Sequence, residues 1–211
     1  YEFFNELTSL KKYANENGVK LIGDLPFYVS KNGADVFYNP EYFSDTLQAG
    51  VPPDYFNEEG QLWGNPVYNF EAMRQDNFLW HRQRLSFWLR FFDGIRLDHF
   101  RAIDSFYAVK RGEKTAKNGK WIEGPKMSLI NALKSVQNDH LIIAEDLGEI
   151  TDSVRNLVRE SGFMCTRVLQ FGFLSCDDTH RPHSYPEHCV AYTGTHDNNT
   201  LLGFVWELDE Y

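Results

Sequence analysis

Apolar positions along the chain alternate between helical spacing and short continuous runs. In the opening segment they recur at helical spacing, at Phe3, Leu7, Leu10 and Ala14. Gly18 then provides a stop signal, and the mostly apolar run VKLIGDL follows. The pattern predicts a helix followed by a buried strand.

The same alternation continues to the end of the chain. Helices are predicted over residues 71–92, 126–138, 152–160 and after 199, and the further strands are GIRL, LIIAE, TRVLQF and VAYT. Strands separated by helical crossovers form a parallel sheet, and the absence of a glycine-rich phosphate loop favours a barrel over a doubly wound sheet. Five strands cannot close an eight-stranded barrel, so we expect an incomplete one that belongs to a longer protein.

The connection over residues 26–70 is far longer than the few residues that usually follow a strand. Its aromatic residues are Phe27, Tyr28, Phe37, Tyr38, Tyr42, Phe43, Tyr55, Phe56, Trp63, Tyr68 and Phe70. Aromatic faces suit the C–H faces of sugar rings, although most of these side chains are expected to form the loop's own core. Trp63 lies between two glycines and is the best candidate for a sugar platform.

Composition narrows the class of partner. The 211 residues are 42% hydrophobic with a formal charge of −9, which fits one globular domain. Without a cluster of Lys and Arg, neither nucleic acid nor an anionic membrane is an expected partner. Cys165, Cys176 and Cys189 are odd in number and predict buried free thiols, and no apolar run is long enough to span a bilayer. We therefore expect a cytoplasmic protein.

Three carboxylates follow predicted strands: Asp98, Glu145 and Asp197. Strand ends meet on one face of a barrel, where they could supply the carboxyl pair of a retaining glycosidase, which lies roughly 5–5.5 Å apart. Arg96 is two residues before Asp98 and would keep that carboxylate ionised as a nucleophile. Glu145 follows an apolar run that would raise its pKa, as an acid requires. Each residue could instead cap the next helix, but the three together favour a site.

Four neighbouring polar residues complete the candidate site. His99 and His196 lack metal-ligand spacing, so we predict hydrogen bonds to sugar hydroxyls and no metal. Asp24 is either a carboxylate at the rim or a turn former before a proline. Asp146 must face away from its neighbour on a strand, which makes it a supporting residue or a substrate contact.

Several motifs together resemble the 4-α-glucanotransferases, also called amylomaltases or disproportionating enzymes, of the α-amylase clan. They are GDLPFYVSKNGADVFYNPEYF, AGVPPDYFNEEGQLWGNPVYN, GIRLDHFRA, IAEDLGEIT and YTGTHDNNT. The resemblance runs from about residue 19 to the end. It implies an α/β fold, the (β/α)₈ TIM barrel, of which residues 1–211 would supply about strands 3 to 7 as a single partial catalytic domain.

The resemblance also implies roles. Asp98 would be the nucleophile, Glu145 the acid and base, and Asp197 the transition-state stabiliser. The sugar-contacting or supporting residues would be Arg96, His99, His196, Trp63, Asp24 and Asp146. The segment WIEGPKMSLI departs from the family pattern, in which a second glycine normally follows Pro125, and GFMCTRVLQF lacks an expected Pro-Gly near residues 164–165.

The implied activity is transfer of α-1,4-glucan segments between maltodextrins through a covalent glycosyl-Asp intermediate. The expected partners are therefore glucan donors and acceptors, and no cofactor is implied because the acid pair performs the chemistry. A plant source would place the protein in the plastid. The alternatives are an α-glucan hydrolase and a glucan-binding fragment without turnover.

Overall fold

The computed structural model describes residues 1–54, 57–174 and 178–208, which form nine α-helices and nine strands within these ranges. The helices α1 to α9 are Glu2–Glu16, Ala34–Tyr38, Phe70–Gln75, Leu79–Leu89, Arg101–Asp104, Met127–Gln137, Asp152–Ser161, Phe171–Leu174 and Leu201–Leu208. The strands β1 to β9 are Ile22–Leu25, Phe43–Val51, Gln61–Tyr68, Gly94–Leu97, Ser105–Lys110, Lys120–Glu123, Leu141–Ala144, Cys165–Val168 and Cys189–Tyr192.

Five of these strands, β1, β4, β7, β8 and β9, pair in parallel, and neighbours in space follow each other in this order along the chain. Strand β4 lies between β1 and β7, and β8 pairs with β9. A parallel bridge between Ile143 and Met164 connects the two groups. At least one helix lies between each of these parallel strands and the next, as the predicted alternation requires. The prediction of an α/β fold with parallel strand pairing is therefore confirmed.

A second sheet was not predicted. The segment interpreted as a long loop, residues 26–70, contains the antiparallel hairpin of β2 and β3. Strands β5 and β6 extend it, giving the order β3-β2-β5-β6. The pairing of β2 with β3 shifts register between Phe43 and Gln48 and again before Gly50. Such irregularities interrupt the two-residue period by which a strand is predicted.

The predicted helix over residues 71–92 is also corrected, because it is two helices. Asn77 and Phe78 both have φ of 55°, in the left-handed region, so the helix cannot continue through them. The Phe78 side chain is 2% exposed and packs in the core. The Asp76 carboxylate accepts a hydrogen bond from Leu79 N–H at 3.1 Å, where α4 begins. Burial of one phenyl ring thus accompanies the break.

Most aromatic residues of the long connection are in the core, as expected. Phe27, Phe43, Tyr68 and Phe70 are buried, and Tyr28 and Tyr42 pack against them. Phe37 and Tyr38 are 77% and 75% exposed. Residues 55 and 56, Tyr55 and Phe56, are outside the described part of the chain.

The sequence also predicted buried free thiols and the absence of a membrane span. Cys165 is a buried free thiol and Cys189 a half-buried one, whereas Cys176 is outside the described residues. Among the helices of the described ranges, none has the length and apolar character needed to cross a membrane.

Candidate active site

An arginine on β4 holds two carboxylates at the ends of neighbouring parallel strands. Asp24 and Arg96 are register partners on β1 and β4. Arg96 Nη1 donates to the two carboxylate oxygens of Asp24 at 2.8 and 2.7 Å, and lies 3.2 Å from Asp98 Oδ1. Asp24 is the third residue of β1, and its carboxylate faces the arginine of the neighbouring strand. The guanidinium thereby fixes the direction of Asp98.

Burial and the neighbouring cation shift the pKa of Asp98 in opposite directions. Burial raises the pKa of its carboxyl group, while the Arg96 guanidinium lowers it and the charges of Asp24 and Asp197 raise it further. Its side chain remains 41% exposed. The pKa of Asp98 is therefore above the ordinary range, although a cation in contact favours the ionised form that a nucleophile needs.

Backbone hydrogen bonds position Glu145 directly after β7. Its N–H donates to Leu97 O at 3.0 Å, and its carbonyl accepts from Phe100 N–H at 3.1 Å. Its carboxyl Oε2 accepts from His99 N–H at 2.8 Å. His99 has φ of 49°, a conformation that costs a non-glycine residue free energy. This strained residue directs its N–H at the carboxyl group.

The electrostatic state of Glu145 differs from that of Asp98. Burial, and then the charge of Asp98, raise the pKa of Glu145 to about 8. Arg96 and the His99 N–H oppose this shift, yet no ion pair to Glu145 occurs within the described residues. Glu145 therefore holds its proton at neutral pH, as a general acid must.

Aromatic rings surround the His99 imidazole on the side of the long hairpin. The Trp63 ring lies 4.9 Å from the imidazole at 71°, and the Tyr28 ring lies 5.9 Å from it. Trp63 is 38% exposed, and its Nε1–H donates to Gln61 Oε1 at 3.0 Å. Burial, and then the charge of Arg101, lower the pKa of His99 to about 4. The imidazole is thus neutral at physiological pH.

An open cleft of about 250 Å³ lies between the parallel strands and the antiparallel sheet. Trp63, His99 and Glu145 line this cleft, whereas Asp98 lines a separate, smaller cavity beside Leu97 and Ile103. Arg101 and Trp121 also line the open cleft, and neither was among the predicted residues. The sequence offered one signal for Arg101, its position three residues after Asp98, and none for Trp121.

Asp197 and His196 lie in the loop after β9. Their side chains are 72% and 68% exposed, with His196 Nε2 at 3.4 Å from Asp197 Oδ2. The charge of Asp197 acts on Asp98, but within the described ranges no hydrogen bond or ion pair joins it to Asp98, Glu145 or Arg96. Asp197 follows the same end of the parallel strands, with an exposed carboxylate whose Oδ2 contacts His196.

Asp146 is placed differently from the other candidates. Its side chain is 5% exposed, Oδ1 accepts from Thr166 N–H at 2.6 Å, and Oδ2 pairs with Arg167 Nη1 at 3.1 Å. Both partners belong to β8. The carboxylate therefore connects β7 to β8 and is not open to substrate.

A metal ion requires several donor side chains close together. In the part of the chain that the structure describes, no group of three or more His, Cys, Asp or Glu side chains could hold a metal ion.

Comparison with known proteins gives a consistent result. A family model described as 4-alpha-glucanotransferase matches residues 1–210. A 4-alpha-glucanotransferase of Clostridium butyricum is 44% identical over 97% of this chain and 44% of its own length. The enzyme of Thermus thermophilus with the same name is 38% identical over 96% of this chain and 42% of its own.

A solved structure agrees with the sequence comparisons. The amylomaltase from Streptococcus agalactiae in complex with acarbose superposes with a TM-score of 0.91 at 36% identity, covering 98% of this chain and 43% of that one. The chain therefore spans less than half the length of the relatives it matches.

Proposed function

This chain belongs to the 4-alpha-glucanotransferase family, and from that premise we propose that the full-length protein transfers α-1,4-glucan segments between maltodextrins. The observation that carries the proposal is a pair of carboxyl groups on neighbouring strands in different states. Asp98 contacts a guanidinium, whereas Glu145 is buried and accepts a neutral N–H. Retaining transfer requires such a pair.

The five parallel strands correspond, in this proposal, to about strands 3 to 7 of a (β/α)₈ barrel. Residues 1–211 form a single part of one catalytic domain. Three observations support this assignment: the strands pair in chain order, they are parallel, and carboxylates lie within β1 (Asp24) and directly after β4 (Asp98) and β7 (Glu145). A cytoplasmic location stays a prediction.

In the first step, an Asp98 oxygen attacks the anomeric carbon of the donor glucan. The bond from that carbon to the leaving oxygen breaks, and Glu145 gives its proton to this oxygen. The shortened donor leaves with a new 4-hydroxyl, and the remaining segment is an ester of Asp98. Asp197, which is exposed at the same end of the strands, accepts hydrogen bonds from sugar hydroxyls and stabilises the oxocarbenium-like transition state.

In the second step, Glu145 acts as the base. It takes the proton of an acceptor 4-hydroxyl, whose oxygen attacks the same anomeric carbon and releases Asp98. Trp63 and the neutral His99 contact the sugar beside Glu145, while Arg96 and Asp24 support the nucleophile. His196 is a further sugar contact in the exposed loop, and Asp146 a supporting residue. The chemistry uses no cofactor.

The test is incubation of the full-length protein with maltotriose and separation of products by mass. The wild type is expected to give glucose and longer maltodextrins. Asp98→Asn removes the nucleophile, so transfer should fall by at least on the order of 10³-fold with the fold unchanged. Circular dichroism and thermal unfolding report the fold.

Asp139→Asn provides the matched control. Asp139 is exposed and precedes β7, at the opposite end of that strand from Glu145, so its variant should keep wild-type activity. Full activity of Asp98→Asn would refute the assignment. A rise in reducing ends without longer products would identify a hydrolase, and maltodextrin binding without products would identify a binding protein.

A further inference from the structure

Arg101 contacts both walls of the cleft beside Glu145. Its guanidinium lies over the Trp121 ring of β6, with Cζ 4.0 Å from the ring centroid. Its Nη1 donates to the carbonyl of Glu149 at 2.8 Å, and this Nη1 lies 3.8 Å from the Glu149 carboxylate. The residue is 7% exposed. A single side chain thereby joins the loop after Glu145 to the antiparallel sheet.

The short helix α5 has a second connection to the same region. Asp104, at its other end, accepts a hydrogen bond from Ser153 Oγ at 2.5 Å. Ser153 is in α7, which directly follows the loop. The segment between Glu149 and Ser153 is therefore held at both ends by α5. This segment begins four residues after Glu145, so these contacts hold the part of the cleft wall that follows the acid.

We propose that Arg101 is a positioning residue for glucan transfer. It acts through its contact with the loop that follows Glu145 and through its positive charge in the cleft that His99 also lines. This inference rests on the proposed function. Arg101 binds a main-chain carbonyl of that loop and stacks on Trp121, so its planar guanidinium sets the width of the cleft between them. The position of a sugar bound beside Glu145 follows from that width.

The charge of Arg101 has a separate effect, on His99. The imidazole contacts the Tyr28 and Trp63 rings and lines the same cleft as Arg101. The main-chain N–H of His99 binds the Glu145 carboxyl group, and Asp98 precedes His99 in the chain. Burial is the larger reason for the low pKa of His99, and the Arg101 charge is the second. A neutral imidazole can accept a hydrogen bond from a sugar hydroxyl, which an imidazolium cannot. Loss of the Arg101 charge should therefore extend the loss of this acceptor to higher pH.

The test compares kcat, KM and their pH dependence in the full-length protein for Arg101→Met and Arg101→Lys. Arg101→Met removes the loop contact and the charge, so kcat should fall roughly 10- to 100-fold with KM little changed. The acid limb of the kcat profile should move up by on the order of one pH unit, because His99 protonates more easily. Arg101→Lys keeps the charge, so its acid limb should match the wild type while kcat recovers only in part.

Two controls make the result specific. Arg90→Met also removes an arginine that lies over aromatic rings, Phe87 and Phe91, but Arg90 precedes β4 and is exposed, so activity should not change. In a His99→Gln background, Arg101→Met should produce no movement of the acid limb. Retention of that movement would exclude His99 as the affected group and overturn this part of the proposal.

The remaining outcomes separate the inference from the proposed function. A raised KM with unchanged kcat would mean that Arg101 contacts the glucan directly, and unchanged kcat and pH profile would mean that it has no role. Either result, with an active wild type, overturns the positioning role alone. A wild-type protein without transfer activity overturns the proposed function as well.

Discussion

The raised pKa of the Glu145 carboxyl group makes the free energy of unfolding depend on pH. A pKa of about 8 means that the folded protein retains a proton that the unfolded chain, with an ordinary value of 4.5, has released. Between these values the folded state binds more protons, so the free energy of unfolding falls as pH rises. Below pH 4.5 both states are protonated and this penalty is absent.

Glu145→Gln should therefore stabilise the full-length protein at alkaline pH. The amide is neutral, so it avoids the buried charge that wild-type Glu145 acquires above pH 8. We expect a higher thermal midpoint for the variant at pH 9 and a smaller difference at pH 5, measured by circular dichroism. The exposed Glu160→Gln should show no such trend. A variant less stable than the wild type at pH 9 would contradict the argument.

At the scale of the element, α6 begins and ends in unusual backbone conformations. Lys126 has φ of 48° and ψ of −135°, and Asn138, after the last turn, has φ of 51° and ψ of −137°. This region is nearly restricted to glycine, and other residues in it cost free energy. The first of these conformations occurs at the position after Pro125, where the resemblance implies a glycine and this chain has lysine. The chain tolerates lysine there at a cost.

Lys126→Gly should stabilise the protein by about 1 kcal/mol, as relief of backbone strain exceeds the entropy that glycine loses on folding. The ion pair with Glu123 at 2.8 Å is exposed and contributes little. Urea denaturation would measure the change. Lys12→Gly, in the exposed interior of α1, should instead cost about 1 kcal/mol. Equal losses in both variants would show that Lys126 is unstrained.

At the scale of the whole molecule, local patterns predicted the parallel strands and not the second sheet. GIRL and LIIA are apolar runs whose carboxyl ends carry Asp98 and Glu145, so strand and candidate acid could be found together. Strand β6 is mostly exposed and has no such pattern. The contact between Arg101 and Glu149 joins residues 48 apart, through the packing of α5 against α7, and no sequence period encodes that distance.

The apolar surface of α9 predicts the behaviour of residues 1–211 produced alone. Leu202, Val205 and Trp206 are 62%, 49% and 68% exposed. Exposed apolar patches promote association, so this chain should self-associate in sedimentation experiments. Leu202→Glu with Trp206→Glu should reduce association. Gln83→Glu with Asn156→Glu adds the same charge elsewhere and should leave it unchanged. Equal effects of both pairs would implicate net charge instead.

The two sheets divide the site between them in a way that bears on how new specificities arise. The acids follow parallel strands whose spacing is set by main-chain hydrogen bonds, whereas Trp63 and Trp121 belong to antiparallel strands that form the opposite wall. Sequence can diverge in those hairpins while the parallel strands keep their register. Substitutions in the hairpins can therefore reshape this wall while the carboxylates keep their spacing, except where Arg101 couples Trp121 to the loop after Glu145.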